Sequence, residues 1–280
     1  MRDCGVPSTR SPVRGLVDAC HPGPTVTVTL AVTALAAAFG REPAGLALVA
    51  AATLAGQLSV GWCNDAHDAD RDLRAGRSEK PTVRGDVTAS ALWRAAALAA
   101  AACLVLSYLA AGPVGGTAHV LAVASAWLYN LVLKTTVLSP LPYAVSFGLV
   151  PAYVTYGLTP SQPPPAWLTL TGVLLGVAAH LANAIPDVEA DRAVEAGGLV
   201  AAVGVRRATW ATLGLLVLAV ALLVAQLSLA AGAAAAIGLA AAGGGLVVAV
   251  TGRGRALFRY VMALALGCVA LLLLAARSTR

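Results

Sequence analysis

The stretch NDAHDADRDLRAGRSEKPTVRG, residues 64–85, interrupts a chain that is otherwise dominated by Ala, Leu, Val and Gly. Ten of its 22 residues are charged, five of them acidic and five basic. In the whole chain of 280 residues, only 11% are charged and 59% are hydrophobic. The apolar segments around this stretch therefore decide the fold, and the few charged segments are where a function should be sought.

The apolar segments are too long and too numerous for a soluble protein. Soluble domains carry about 25% charged residues, more than twice the fraction found here. A helix that crosses a bilayer needs about 20 mostly apolar residues. We therefore predict an all-α membrane protein with a single transmembrane domain over residues 24–280. Its predicted spans are nine in number: 24–40, 43–62, 88–111, 116–133, 138–157, 165–185, 206–228, 230–250 and 256–276.

The basic residues predict which side of the membrane each loop faces. The net charge of +6 does not indicate a nucleic-acid partner, because these residues flank apolar spans, as the positive-inside rule describes. If the N-terminal tail (1–23) is cytoplasmic, 16 of the 19 Lys and Arg residues lie on that side. The loops 64–87 and 186–205 then share the cytoplasmic face. The wealth of Ala, Gly and Arg is typical of a GC-rich bacterial genome, so we expect a multi-pass protein of a bacterial cell membrane.

The acidic residues are concentrated in these two loops, which hold ten of the 13 in the chain. Most loop charges are simply solvated, but the spacing here favours another explanation. An α-helix turns by about 100° per residue, so Asp65, Asp68 and Asp72 fall within about 60° of one helix face. Asp70 points away from that face, and we expect it to be either solvated or paired with an Arg, without a part in the site.

The acidic face is repeated later in the chain. The first copy has the pattern N-x-x-x-D-x-x-x-D at Asn64, Asp68 and Asp72. The second copy has the same pattern 119 residues later, at Asn183, Asp187 and Asp191. Membrane proteins often contain such related halves, so the two acidic faces could meet across one cavity.

Acidic side chains that converge on a cavity repel one another unless positive charge neutralises them. Carboxylate and amide oxygens suit Mg²⁺, which usually shares its coordination shell with substrate phosphates. The pattern therefore predicts a Mg²⁺-bridged diphosphate whose apolar tail lies between the helices, as in a prenyl diphosphate. Basic residues that could complete the neutralisation are Arg71, Arg77, Lys80, Arg84, Lys134 and Arg192.

These motifs resemble those of the UbiA superfamily of intramembrane prenyltransferases. The similarity lies in N-D-x-x-D-x-x-x-D at 64–72, D-x-x-x-D at 187–191, KPTVRG at 80–85, YNLVLK at 129–134 and IPDVEADR at 185–192. It covers residues 55–205 best. The resemblance implies about nine transmembrane helices bundled around a central cavity. It also implies transfer of a prenyl group from its diphosphate to an aromatic or lipid-like acceptor, with release of pyrophosphate, by a transferase of alkyl groups other than methyl.

The resemblance assigns roles to individual residues. Six are expected to hold Mg²⁺ and the diphosphate: Asn64, Asp65, Asp68, Asp72, Asp187 and Asp191. The five acidic members of this set are the candidate catalytic residues. Further candidates for substrate binding are Arg71, Arg77, Lys80, Tyr129, Lys134, Asn183 and Arg192.

Some residues depart from the family pattern. Tyr129 and Lys134 are five residues apart, whereas ubiquinone-type members have a gap of four. The segment AVEAGGLVAAVG, residues 193–204, lacks the usual basic residue and Thr. His21 stands where many members carry an Arg-Pro pair, so it either replaces that Arg or lies at the membrane interface. We expect His180, one turn before Asn183, to be a packed or hydrogen-bonded histidine.

Two alternative functions stay open at this point. A membrane terpene cyclase of the same superfamily would use the same acidic residues without an acceptor. An ion-coupled transporter is a more distant alternative, because carriers place ionisable groups near the middle of the membrane and these lie at helix ends. The sequence predicts prenyl diphosphate, an acceptor and the lipid bilayer as partners, and it does not predict the acceptor, the prenyl chain length or the oligomeric state.

Overall fold

A computed structural model describes residues 11–188, 197–227, 231–251 and 255–278. Helices make up its regular structure, and no strand occurs in these four ranges. We number the α-helices in chain order. They are α1 (Pro12–Ala19), α2 (Pro22–Ala38), α3 (Pro43–Arg74), α4 (Ala89–Leu128), α5 (Pro140–Tyr156), α6 (Ala166–Ala184), α7 (Leu199–Val203), α8 (Val205–Val224), α9 (Ala231–Thr251) and α10 (Ala256–Ser278).

Helix α4 is a hairpin of two arms. Gly112 has φ 64° and ψ −168°, outside the helical region, a conformation that glycine adopts without steric cost. The hydroxyl of Ser107 and Nδ1 of His119 lie 2.7 Å apart, although a straight helix would separate these residues by about 18 Å. The two arms therefore pack side by side and correspond to the predicted spans 88–111 and 116–133.

Five helical stretches of the described chain are long and apolar enough to cross a membrane. Large apolar side chains such as Leu30, Leu98, Leu109 and Leu239 are exposed on the outside of the bundle, where a membrane protein contacts lipid. The exact number of crossings stays a prediction, because some predicted spans form helices of only 17 residues. The five stretches are Pro43–Arg74, Ala89–Leu133, Ala166–Asp187, Val205–Val224 and Ala256–Leu273.

The helices form a ring with a cavity at its centre. Around the ring, α3 packs on α2 and α4, α4 on α5, and α5 on α6. Helix α10 contacts both α6 and α2 and so closes the ring. Helix α8 packs on α6, and α9 packs on α8, outside the ring. At one end of the bundle the Arg41 guanidinium donates hydrogen bonds to the carbonyl oxygens of Gly157 and Ala110, which joins the end of α5 and the bend of α4 to the α2–α3 turn.

The N-terminal tail contains a helix that the sequence analysis did not predict. Ser11 caps α1 and Pro12 occupies its first turn, a combination that favours a helix start. The indole of Trp62 donates a hydrogen bond of 2.8 Å to the carbonyl of Leu16. Gly61 allows close approach, since a Cβ there would lie 2.7 Å from the carbonyl oxygen of Cys20. The segment 12–20 is therefore fixed against α3.

Candidate active site

One face of α3 lines the central cavity from its middle to its C-terminal end. Residues Thr53, Gln57, Asn64, Asp68 and Arg71 all contact the cavity, which encloses about 310 Å³. Their spacing follows the 3.6-residue period of an α-helix. Helix α3 therefore contributes charged side chains to the cavity at its C-terminal end and uncharged side chains nearer its middle.

The first acidic motif is helical and buried. Residues 64–74 continue α3 and do not belong to the predicted loop 64–87, which begins only at residue 75. Asp65, Asp68 and Asp72 are buried, whereas Asp70 is exposed on the opposite face. The expected single acidic face is thus present, and His67 is exposed outside it.

Each buried acid of this motif forms an ion pair with a basic residue. Arg71 donates to Asp68 at 2.9 Å, Arg77 to Asp72 at 3.2 Å, and Lys80 to Asp65 at 2.7 Å. The loop 75–88 brings Arg77 and Lys80 back over the end of α3. The candidate basic residues therefore lie where a diphosphate bound by the acids would need them. Arg84 differs from this group, because it donates to Asp86 and Asp18 near α1.

Lys134 approaches the same acids from the opposite wall. Its ammonium group donates to the carboxylate of Asp68 and, at 3.2 Å, to the side-chain oxygen of Asn64. Burial lowers the pKa of Lys134, and the neighbouring Asp68 acts against this shift. Two helices that are distant in sequence thus contribute opposite charges to one cluster.

A π-helical turn places Lys134 in this cluster. Residues Tyr129–Leu133 form the turn, and the backbone N–H of Lys134 donates to the carbonyl of Tyr129 at 3.0 Å. Such i→i+5 bonding absorbs one extra residue within a helix and is frequent at functional sites. It accommodates the five-residue gap between Tyr129 and Lys134, and both residues contact the cavity.

The second acidic motif has a different backbone. Helix α6 ends at Ala184, and Ile185–Asp187 form a 3₁₀ turn. Pro186 contributes to this change because it has no N–H for the helical hydrogen bond. Asn183 and Asp187 are therefore connected through a 3₁₀ turn and not through a continuous α-helix, although both contact the same cavity. Asp191 and Arg192 lie outside the described residues.

Two contacts of the acidic residues join segments that are far apart in sequence. Arg255 donates to both carboxylate oxygens of Asp187 at 3.3 Å. Nε2 of His21 lies 2.9 Å from Asp65, and His21 has a left-handed backbone with φ 54°. His21 therefore occupies the acidic cluster and not merely the membrane interface. Sequence reasoning did not identify Arg255 as a site residue, and the one signal in the sequence is its place in the short basic segment between two apolar spans.

Aromatic residues form the next layer of the cavity wall. The ring of Tyr129 meets Tyr143 edge-on at 5.1 Å, and Tyr143 lies 5.0 Å from His180. Nε2 of His180 bonds with the hydroxyl of Ser139 at 3.0 Å. His180 is thus buried and hydrogen-bonded, as expected from the sequence. The cavity changes here from charged groups to aromatic faces.

The chemistry of the acidic cluster fits a hard divalent cation. Oδ2 of Asp65 and Oδ2 of Asp72 are buried and accept no hydrogen bond within the described chain. Mg²⁺ is usually bound by one or two carboxylates together with substrate phosphates and water. In the described ranges, no three Asp, Glu, His or Cys side chains are grouped closely enough to hold a metal alone. The cluster therefore suits Mg²⁺ that arrives with a phosphate-bearing substrate.

Comparison with known proteins agrees with this architecture. The UbiA prenyltransferase family matches residues 25–256, which is most of the chain. A search of curated protein sequences finds no match to this chain.

Solved structures with the same fold include an apo UbiA homologue from Aeropyrum pernix K1, at 20% identity and a TM-score of 0.67, covering 89% of this chain and 96% of that one. A digeranylgeranylglyceryl phosphate synthase structure has 15% identity and a TM-score of 0.66, and the match covers 95% of this chain and 99% of that one. A UbiA homologue from Archaeoglobus fulgidus bound to GPP and Mg²⁺ has 15% identity and a TM-score of 0.64, covering 92% and 99%.

Proposed function

This chain belongs to the UbiA prenyltransferase family, and we propose that it is a Mg²⁺-dependent enzyme that transfers a prenyl group from its diphosphate to an acceptor. One observation carries the proposal above all. Buried, ion-paired acids and bases stand at the end of α3, and an apolar and aromatic cavity continues from them along the same helix. A diphosphate head and an isoprenoid tail need these two environments side by side.

Related structures support the choice of substrate. Archaeoglobus fulgidus UbiA homologues of the same fold are described as bound to GPP and Mg²⁺ and to DMAPP and Mg²⁺. At 15% identity these neighbours support a prenyl diphosphate and Mg²⁺ here without specifying the chain length or the acceptor. The acceptor class remains the aromatic or lipid-like one that the family resemblance implies.

The charged residues have distinct tasks in this proposal. Mg²⁺ held by Asn64, Asp65, Asp68, Asp72, Asp187 and Asp191 would neutralise charge that develops on the leaving pyrophosphate. Lys80, Arg77 and Lys134 now pair with the acids, and they are placed to bind phosphate oxygens when these enter. Preorganised positive charge of this kind stabilises the leaving group without further rearrangement. Further contacts to the substrate are assigned to Arg71, Tyr129, Asn183 and Arg192.

The aromatic layer has a complementary role. Tyr129, Tyr143 and His180 lie between the charged end and the interior of the cavity. An allylic carbon that loses pyrophosphate becomes electron-poor, and the faces of aromatic rings attract positive charge. The same layer excludes water, so that the acceptor is favoured as the nucleophile.

The arrangement in the membrane follows from the charges. We assign the tail 1–23 and the segments 64–87 and 186–205 to the cytoplasmic side, with residues 24–280 as one transmembrane domain in the cell membrane of a bacterium. The acidic cluster and Arg255 then lie at the same face, since Asp187 and Arg255 are in contact. Arg41 ties the helix ends at the opposite face.

The test is release of pyrophosphate by the purified protein in nanodiscs. Geranyl, farnesyl and geranylgeranyl diphosphates would be supplied with and without Mg²⁺, alone and with a panel of aromatic and glycerol-based acceptors. We expect release that requires both Mg²⁺ and one acceptor, and a loss of about a hundredfold in Asp68→Asn. Asp70→Asn is the matched control, because Asp70 is on the same helix but exposed.

The other outcomes of this assay discriminate between functions. Release without any acceptor, accompanied by a cyclic hydrocarbon or alcohol, would identify a terpene cyclase. No release from any of the three diphosphates would contradict the proposal and would favour a role without catalysis, such as transport.

A further inference from the structure

The far end of the cavity is polar, although a prenyl tail is a hydrocarbon. Thr53, Gln57, His119 and Tyr153 all contact the cavity. Thr53 precedes Asp68 by 15 residues on the same helix, which corresponds to about 22 Å along the axis. A prenyl diphosphate bound at the acidic cluster would therefore bring only carbon and hydrogen to this end.

Two of these side chains carry hydroxyl groups that form no hydrogen bond of standard geometry within the described residues. Thr53 is 2% exposed and Tyr153 is 1% exposed, and neither hydroxyl has a partner of standard geometry in the part of the chain described. The two hydroxyls do approach each other, as a hydrogen bond outside standard geometry. A buried hydroxyl without a partner costs free energy, and such groups usually have a partner.

Thr53 differs from most threonines in the described helices, and it shares its unpaired hydroxyl with Thr155 of α5, which lies away from the cavity. Thr29, Thr33, Thr171 and Thr212 each donate to the carbonyl four residues earlier, at 2.7 to 2.9 Å. This local bond is the usual way in which a helical threonine satisfies its hydroxyl. Thr53 does not form it, so its hydroxyl stays available at the cavity wall.

His119 supplies an acceptor beside these donors. The hydroxyl of Ser107 donates its only proton to the carbonyl of Cys103 at 2.5 Å. Ser107 must therefore accept the bond of 2.7 Å from Nδ1 of His119, which leaves Nε2 of the neutral ring as an acceptor. The ring of His119 stacks on Tyr153 at 4.2 Å with an angle of 13°, so both side chains are held in place.

We propose that Thr53, Tyr153 and His119 form a second polar subsite, which binds a hydroxyl group of a substrate deep in the cavity. A hydroxyl would donate to Nε2 of His119 and accept from Tyr153 or Thr53. It would therefore pair with both the acceptor and a donor of the subsite. A carbonyl would leave Nε2 without a donor. This inference rests on the proposed function, because it takes the cavity to be the site where the substrates bind. The hydroxyl could belong either to the acceptor or to an oxygenated isoprenoid tail.

Binding of matched probe pairs tests the subsite in nanodiscs. The first pair is farnesyl diphosphate and its analogue with a terminal hydroxyl, for an oxygenated tail. The second pair is 1-naphthol and 1-methylnaphthalene in the presence of farnesyl diphosphate, for an oxygenated acceptor. We expect the hydroxylated member of one pair to bind about fivefold more tightly, which corresponds to one neutral hydrogen bond. The pair that shows the preference identifies the source.

Three variants connect the preference to the subsite. Tyr153→Phe and Thr53→Val remove only the hydroxyls, and each should bring the ratio of affinities close to one. Tyr156→Phe, on the same helix but away from the cavity, should keep the ratio of the unmodified protein. If neither pair shows a preference, or if the preference survives Tyr153→Phe and Thr53→Val, the subsite does not exist.

A stability measurement separates binding from a structural role. Because the Tyr153 hydroxyl forms no hydrogen bond of standard geometry in the described chain, Tyr153→Phe should leave the thermal midpoint of the ligand-free protein unchanged or raise it. A lower midpoint would show that the hydroxyl bonds to the protein and would overturn the proposal. Pyrophosphate release by the unmodified protein is measured separately, so failure of the proposed function is distinguishable from failure of the subsite.

Discussion

At the end of α3 the side chains of Asp65, Asp68 and Asp72 are at most 5% exposed, whereas that of Asp187, beyond the end of α6, is 31% exposed. Asp68 pairs with Lys134, which is 11% exposed, and Asp187 pairs with Arg255, which is 52% exposed. The two regions share the spacing N-x-x-x-D. One is a packed ionic cluster and the other a solvated ion pair, so equal spacing in sequence does not give equal electrostatic environments.

The largest expected difference between the two regions is in stability. Asp68→Asn leaves the buried ammonium of Lys134 without its partner charge, and loss of one member of a buried pair costs about 3 to 5 kcal/mol. Asp187→Asn disturbs only an exposed pair, and such pairs contribute less than about 1 kcal/mol. Unfolding of both variants in the same detergent measures the difference. Equal losses would show that burial does not separate the two regions.

The next difference is in catalysis and concerns the basic partners. Lys134→Gln should lower pyrophosphate release by about a hundredfold, because a preorganised buried charge is lost from the leaving-group site. Arg255→Gln should lower it by less than about tenfold, since water and salt already weaken an exposed charge. Steady-state rates at saturating Mg²⁺ provide the test, and the reverse order of effects would place the leaving group beside Arg255.

A smaller effect is expected from the backbone of the second region. Pro186→Ala restores an N–H and allows α6 to continue through Asp187, which rotates the carboxylate away from its 3₁₀ position. We expect the Mg²⁺ concentration for half-maximal activity to rise by a few fold, with the maximal rate nearly unchanged. Pro163→Ala, at an exposed position of the opposite turn, is the control. If Pro186→Ala leaves the Mg²⁺ dependence unaltered, the 3₁₀ turn has no part in metal binding.

The smallest effect sharpens the comparison within α3 itself. His67→Ala and Asp70→Asn alter exposed residues between the buried acids, and surface changes of this kind stay within about 0.5 kcal/mol in stability. Activity should also stay within about twofold of the unmodified protein. A tenfold loss in either variant would mean that the functional surface extends beyond the buried face.

The α-helical period accounts for what the sequence could predict. Asp65, Asp68 and Asp72 share a face because a helix repeats every 3.6 residues, and that face is buried while Asp70 is not. The all-helical fold followed from the length and apolar character of the spans, since only paired backbone groups are tolerated in lipid. Helix geometry was therefore sufficient to predict the acidic face, and the backbone requirements of the membrane were sufficient to predict the all-helical fold.

Contacts between distant segments could not be derived in this way. Arg255 meets Asp187 across 68 residues and His21 meets Asp65 across 44, and no periodic pattern encodes either pair. The 3₁₀ turn was not predicted, because the repeated N-x-x-x-D spacing suggested the same helical backbone in both motifs. The effect of Pro186 on the backbone of the second motif was not considered. The deep polar subsite was missed because Thr53, His119 and Tyr153 resemble ordinary residues of apolar helices until their hydrogen bonds are known.

The π-turn at Tyr129–Leu133 has a consequence for how such proteins are found. It keeps Tyr129 and Lys134 on one cavity although their spacing is one residue longer than in ubiquinone-type relatives. A search pattern that fixes the gap between these residues would therefore discard this chain, whereas a pattern that admits one inserted residue would keep it.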